Sequence, residues 1–232
     1  TGGTNTAVGA SALGSNTTGA ENVGMGTEAM QFTTTGASNV SMGYRALRAN
    51  TTATGNTAVG RGALEANTTG HSNVAVGWLA LDANTTAASN TGVGTSSLGA
   101  TTTGDLNVAV GTNALQTNTV GDRSTAVGYG ALTSQNPSSN ADMNNVAVGL
   151  NAGASVTTGT GNTLLGAEAG DSVNTGVRHT VIGFNSGVNL TGGNDCIAIG
   201  EGTNLSTAAA SSEIVLGNDV TCTAAGNFTF GS

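Results

Sequence analysis

Apolar residues recur along this chain at a fixed interval that is neither a helical period nor a simple alternation. Aligned on the pentapeptide Asn-[Thr/Val]-Ala-Val-Gly, the sequence repeats every seventeen residues. The repeats close on Gly9, Gly26, Gly43, Gly60, Gly77, Gly94, Gly111, Gly128, Gly149, Gly166, Gly183, Gly200 and Gly217. Every step between them is seventeen residues except Gly128 to Gly149, which is twenty-one. So strict a period predicts a solenoid of thirteen stacked coils rather than a conventional core. Residues 56–72 (NTAVGRGALEANTTGHS) serve as the type unit, with positions numbered 1 to 17. Positions 2–4 form a short β-branched strand, closed by an invariant glycine at position 5. Positions 8–9 read Ala-Leu, and positions 12–15 read Asn-Thr-Thr-Gly. The frequent Gly and Asn, with no 3.6-residue period, exclude helix.

Side chains alternate along a strand, so positions 2 and 4 share one face and position 3 takes the other. Both faces are small or apolar, as in Thr57, Ala58 and Val59. Such a strand is expected to be covered on both sides, once by its own coil and once by a neighbouring chain. The predicted fold is all-β: a parallel β-solenoid (β-roll) assembled as an intertwined or side-by-side homotrimer. At ~4.8 Å per coil the rod is about 60 Å long.

The apolar pattern changes once. Coils 1–8 carry Leu or Met at position 9, as in Leu13, Met30 and Leu132, whereas coils 9–11 carry Gly153, Gly170 and Gly187. In those three coils position 12 becomes apolar as Val156, Val173 and Leu190. The four extra residues fall at this change. The spacing therefore predicts coils 1–8 over 1–132, an inserted surface loop over 133–144 joining two sub-rods of different cross-section, and coils 9–13 over 145–217. The repeat fades after Gly217, and 218–232 reads as a capping tail. The chain opens at Thr1 without a signal-like segment, as expected of an excised or processed fragment.

Charged residues are 8% of the chain and the net charge is −8, with five arginines and no lysine. Without a basic stripe to displace counterions, nucleic-acid binding is not expected, nor is adhesion to an anionic membrane. No apolar run approaches the roughly 20 residues of a bilayer span. Cys196 and Cys222 are too few for a disulfide framework and sit at different repeat positions; whether they pair is left open. No cofactor is expected.

Recognition should lie where the repeat varies. Position 6 of coils 3–5 carries Tyr44, Arg61 and Trp78 in register, with Arg45 and Arg48 nearby. Aromatic faces beside arginine suit sugar rings and carboxylated glycans, but also read as a self-stacked rim or as packing against a partner chain. The position-1 asparagines Asn5, Asn22, Asn39, Asn56, Asn73, Asn90 and Asn107 read as a structural amide ladder. The Thr-Thr pairs, such as Thr51–Thr52 and Thr68–Thr69, raise an ice-binding reading, although neighbouring residues of a strand face opposite ways. His179 and Cys196 occupy position 1 of consecutive coils beside Asp195, and read as substitutions within the ladder rather than as metal ligands. The string Gly192–Asp195 (GGND) occurs once, too rarely to indicate a calcium-binding repeat. Glu65 and Asp82 share position 10 and read as solvated charge rather than as a hydrolytic carboxylate pair. No catalytic residues are assigned.

The string N-[TV]-A-V-G-x-x-A-L resembles the head repeats of YadA-like trimeric autotransporter adhesins, which are β-rolls packed three side by side. Their coil is shorter, near fourteen residues, and lacks the N-T-T-G segment. The chain more closely resembles repeat regions of phage tail fibres, over coils 1–11. Residues 212–232 are similar to the segment preceding the self-cleaving intramolecular chaperone of tail spikes and fibres. That resemblance implies processing at Ser232. It also implies an extracellular, structural role in a virion tail fibre or cell-surface appendage, with a host-surface glycan or protein receptor as partner. A bacterial adhesin head, a glycan depolymerase and an ice-binding rod remain as alternatives.

Overall fold

A computed structural model describes residues 2–224 and 226–231. Thr1 and the candidate processing site Ser232 therefore lie outside the described residues. The chain is an all-β parallel solenoid. Strands β1 (Thr6–Val8), β2 (Val23–Met25), β3 (Val40–Met42), β4 (Thr57–Val59), β5 (Val74–Val76), β6 (Thr91–Val93) and β7 (Val108–Val110) stack at successive repeats. The short β8 (Gly121–Asp122) and β10 (Ala141–Asp142) pair with each other in a separate two-stranded sheet. The main sheet continues through β9 (Thr125–Val127), β11 (Val146–Val148), β12 (Thr163–Leu165), β13 (Thr180–Ile182), β14 (Ile197–Ile199), β15 (Ile214–Leu216) and β16 (Phe228–Phe230). Each strand pairs in parallel with the same positions one coil away, as Thr57 with Val74.

Left-handed backbone explains why particular residue types recur. Position 5 has φ near +130 to +140°, as at Gly60 (φ 131), a region closed to side chains. Position 9 is left-handed too, with Leu47 at φ 50, Leu64 at 52 and Leu81 at 52. β-Branched residues are outliers in that region, so the slot takes Leu or Met, never Val or Ile. It also explains why Gly153, Gly170 and Gly187 can replace the leucine. The vacated volume is filled from two directions. A Cβ on Gly153 would stand 2.5 Å from Leu164 Cδ1 and 3.3 Å from Val156 Cγ2. Position 3, as Leu164 and Val181, thus joins position 12 in refilling the core, a contribution not evident in the repeat alone.

The core is one column per coil: position 3 (Ala58, Ala75, Ala109), position 8 (Ala63, Ala80) and position 9 (Leu64, Leu81), all buried. Beside it run two columns of buried asparagine. At position 1, each Oδ1 accepts the backbone N–H one coil on, as Asn90 from Asn107 at 2.9 Å. Each Nδ2 donates to the position-15 carbonyl of its own coil, as Asn90 to Gly104 at 2.8 Å. These bonds satisfy backbone groups that a narrow coil could not otherwise pair. At position 12, Asn67 and Asn118 donate to carbonyls three residues on, at 3.0 and 2.8 Å.

One expectation needs correction. Residues 133–144 do not join separate rods. β9 pairs directly with β11 (Thr125 with Val146), so the sheet runs through the insertion. Ala141–Asp142 return to the ladder beside Gly121–Asp122, and Gln135, Pro137 and Met143 are buried. Asn136, Ser138–Asn140, Asp142 and Asn144 are exposed between these buried anchors. The tail continues the sheet at its end. It adds a fourteenth rung, with Ile214 paired to Phe228, fourteen residues on. Its two phenylalanines stay exposed, edge to face at 4.3 Å.

Candidate functional site

The outer face of the sheet runs along all fourteen strands. Positions 2 and 4 point away from the core. Position 4 is apolar at every rung from Val8 to Phe230, and neither column contains a charged residue. Many of these side chains are well exposed: Val76 36%, Met42 42% and Leu165 43%. Of the two covers expected for this strand, the structure contains one.

Position 6 lies two residues beyond this face and brings part of the candidate aromatic–arginine group together. The Arg45 and Arg61 guanidinium groups lie over the Tyr44 ring, 5.0 and 5.7 Å from its centroid. Arg48 sits 5.0 Å over Phe32, a contact not foreseen from the repeat. Glu28 Oε2 accepts from Arg45 Nε at 2.9 Å and forms an ion pair with Arg48, whose Nε donates to Gln31 Oε1 at 3.3 Å; Glu65 Oε1 lies 3.6 Å from Arg45 Nη1. Glu65 is therefore ion-paired rather than merely solvated. Among the described residues Arg61 has no carboxylate partner, and Trp78, 52% exposed, has no ring or guanidinium stacked on it. Tyr44 is covered by the two arginines, whereas Arg61 and Trp78 are exposed.

The threonine pairs lie in bends rather than strands, and still divide between the next coil and the outside. Thr51, Thr68 and Thr85 donate their hydroxyls to the carbonyl one coil on, at 3.1, 3.0 and 3.1 Å. From coil 2 onward only the second threonine, such as Thr52 and Thr69, is exposed, whereas Thr17 and Thr18 of coil 1 both are. The result is a single hydroxyl column, not a broad array.

No family model and no curated protein matches this chain.

His179 and Cys196 occupy the asparagine ladder. The His179 N–H donates to Asn162 Oδ1 at 2.9 Å, and its Nδ1 accepts from the Cys196 N–H at 3.2 Å. The ring nitrogen thus substitutes for an amide oxygen. Asp195 is held by Arg178 through bonds of 2.7 and 2.8 Å, which keep its carboxyl below the usual range. Among the described residues, no three His, Cys, Asp or Glu side chains converge as a metal site. Both cysteines are buried and unpaired, and burial pushes the Cys196 thiol up.

Burial also pushes the His179 pKa down, so the folded rod holds it neutral, with Arg178 and Asp195 the charged groups nearby. An unfolded histidine titrates near ~6.5. The unfolded chain therefore binds this proton first. The ladder's stability is complete above pH ~6.5 and is lost as pH falls through the lower folded value. His179→Asn restores an amide to the ladder. Thermal melting from pH 7.5 to 5 should show a smaller acid loss in the variant than in the wild type; equal slopes would refute the coupling.

Among the described residues, no helix is long and apolar enough to cross a membrane.

Proposed function

We propose that this chain is a shaft segment of an extracellular attachment fibre, of the virus tail-fibre type, built from three copies packed side by side. The outer sheet face carries the reading. Fourteen rungs at ~4.8 Å make an uncharged strip roughly 60 Å long, apolar throughout at position 4 and Thr, Val, Ile or Phe at position 2. Monomeric proteins rarely expose contiguous apolar area beyond a few hundred Å², and parallel sheets are normally covered on both faces. A strip of this length is commensurate with the ~800 Å² per partner of a standard interface. Another copy of the chain presents the same pitch, rung for rung. The number three comes from the resemblance to tail fibres and adhesin heads.

The shaft's role is mechanical: it spaces and displays a host-surface contact. Arg61 and Trp78 are the open candidates for a receptor glycan. A bacterial trimeric adhesin head is the second reading. One observation favours it locally, because the final rung spans fourteen residues, the coil length of those heads.

Native mass spectrometry of the intact protein should give a trimer, and a stable monomer would overturn the proposal. Val76→Asp places a charge on the outer face of a central rung, where the isolated coil tolerates it. That variant should fall apart into folded monomers, whereas Glu65→Gln should remain trimeric.

A further inference from the structure

Coils 5–7 carry an open depression of about 430 Å³ on the flank formed by positions 7, 10 and 11. One missing side chain opens it. Position 10 reads Arg48, Glu65, Asp82, Gly99, Gln116 in successive coils. Flank side chains stand ~4.8 Å apart, so a glycine between two longer residues leaves a notch. No backbone conformation demands this glycine, since Gly99 lies outside the left-handed region. A Cβ there would meet only the Ser96 carbonyl at 3.3 Å and Asp82 Oδ1 at 3.5 Å.

The lining is chemically mixed. Leu79 supplies an apolar wall, and Asp82, Ser96 and Gln116 supply polar ends. The Ser96 hydroxyl and the Gln116 amide make no hydrogen bond among the described residues. Partial burial, and to a lesser degree Glu65 one coil away, push the Asp82 carboxyl up. No cation lines the notch. Its volume falls within the roughly 300–1,000 Å³ of small-ligand sites, which combine apolar walls with a few convergent polar groups.

We propose that this notch is a binding subsite for one neutral sugar ring. Leu79 packs on the ring's C–H face. The Asp82 carboxylate accepts from a hydroxyl in a charge-assisted bond, and Gln116 and Ser96 bind its neighbours. The local negative charge, without a compensating cation, turns away sialic and uronic acids. The site is separate from Arg61 and rests on the attachment reading only for the sugar's source on a cell surface.

Trp78, the chain's only tryptophan, directly precedes Leu79 and reports on the notch. The intact protein is titrated with lactose, maltotriose, N,N′-diacetylchitobiose and 3′-sialyllactose, followed by Trp78 fluorescence and calorimetry. At least one neutral sugar should give saturable binding. Gly99→Gln, which places there a residue that position 10 already carries in Gln31 and Gln116, should weaken it at least tenfold, as should Asp82→Asn. No saturable binding by any neutral probe, equal binding by Gly99→Gln, or tighter binding of 3′-sialyllactose in the notch would overturn the proposal. Native mass read on the same samples separates the two readings. Loss of the trimer with retained sugar binding sinks the shaft alone; an intact trimer that binds no sugar sinks the notch alone.

Discussion

Gly60→Ala should lower the stability of the rod by about 4 kcal/mol or more, placing it among the most damaging single substitutions. Two costs add. At φ 131 a Cβ is sterically excluded, and such strain costs about 1–3 kcal/mol. The same Cβ would also stand 2.3 Å from the carbonyl oxygen of Gly77 and 2.7 Å from its carbon. That oxygen is backbone, so the next coil must move away. In a solenoid each coil touches only its neighbours, so the break cannot be spread across a wider core. Gly192→Ala is the matched control. Its backbone is not left-handed, and its Cβ would meet only Thr175 Oγ1 at 3.5 Å. Urea unfolding followed by circular dichroism should show the first variant with a much lower midpoint, or a two-step transition. The control should lie within about 0.5 kcal/mol of wild type. A Gly60→Ala midpoint matching wild type would show that position 5 is glycine for another reason.

Asn90→Ala is expected to cost roughly 2–6 kcal/mol. It leaves the Asn107 N–H and the Gly104 carbonyl without the partners they have at 2.9 and 2.8 Å. Each buried group so stranded costs about 1–3 kcal/mol. Asn50→Ala tests whether burial alone matters. Asn50 is equally buried, but its bonds to Thr33 Oγ1 and the Ala53 carbonyl are 3.3 and 3.4 Å long, and its Oδ1 has no partner. The Ala53 carbonyl also keeps Asn39 Nδ2 at 2.9 Å. Less than half the Asn90 loss is expected there. Equal losses, measured by chemical unfolding, would mean that cavity formation and not ladder bonding sets the cost.

The strands, their register and the split of position 3 from positions 2 and 4 are legible in the sequence because each coil repeats the same local pattern thirteen times, but which of the two faces turns inward is not. What escapes the sequence lies off that pattern. Leu64 at φ 52 looks like an ordinary core leucine, because conformational propensities do not reveal a left-handed slot; the glycines of coils 9–11 hint at it only once the slot is known. The insertion misleads for a different reason. Its return to the ladder rests on the two-residue strands Gly121–Asp122 and Ala141–Asp142, too short to carry periodicity. Phe228–Phe230 pairs at a spacing the other rungs do not use, so alignment on seventeen residues passes over it. Of the site, Tyr44 and Arg61 are brought together as the register implies. Trp78 stays apart, and the notch at Gly99 is visible only as an absence, which becomes meaningful once the neighbouring position-10 side chains are seen to flank it.

The coil-to-coil bonds all run along the rod, from Thr6 to the Asn22 carbonyl at one end and from Gly231 to the Leu216 carbonyl at the other. Under tension along that axis they are loaded one after another, in series, and the weakest rung yields first. Each rung that peels away frees seventeen residues of slack, at ~3.4 Å per residue when extended, in exchange for one coil's height. A single strand of this kind is therefore a force-limiting tether that lengthens in steps instead of snapping. Lateral packing against sister chains is what would convert it from a spring into a strut.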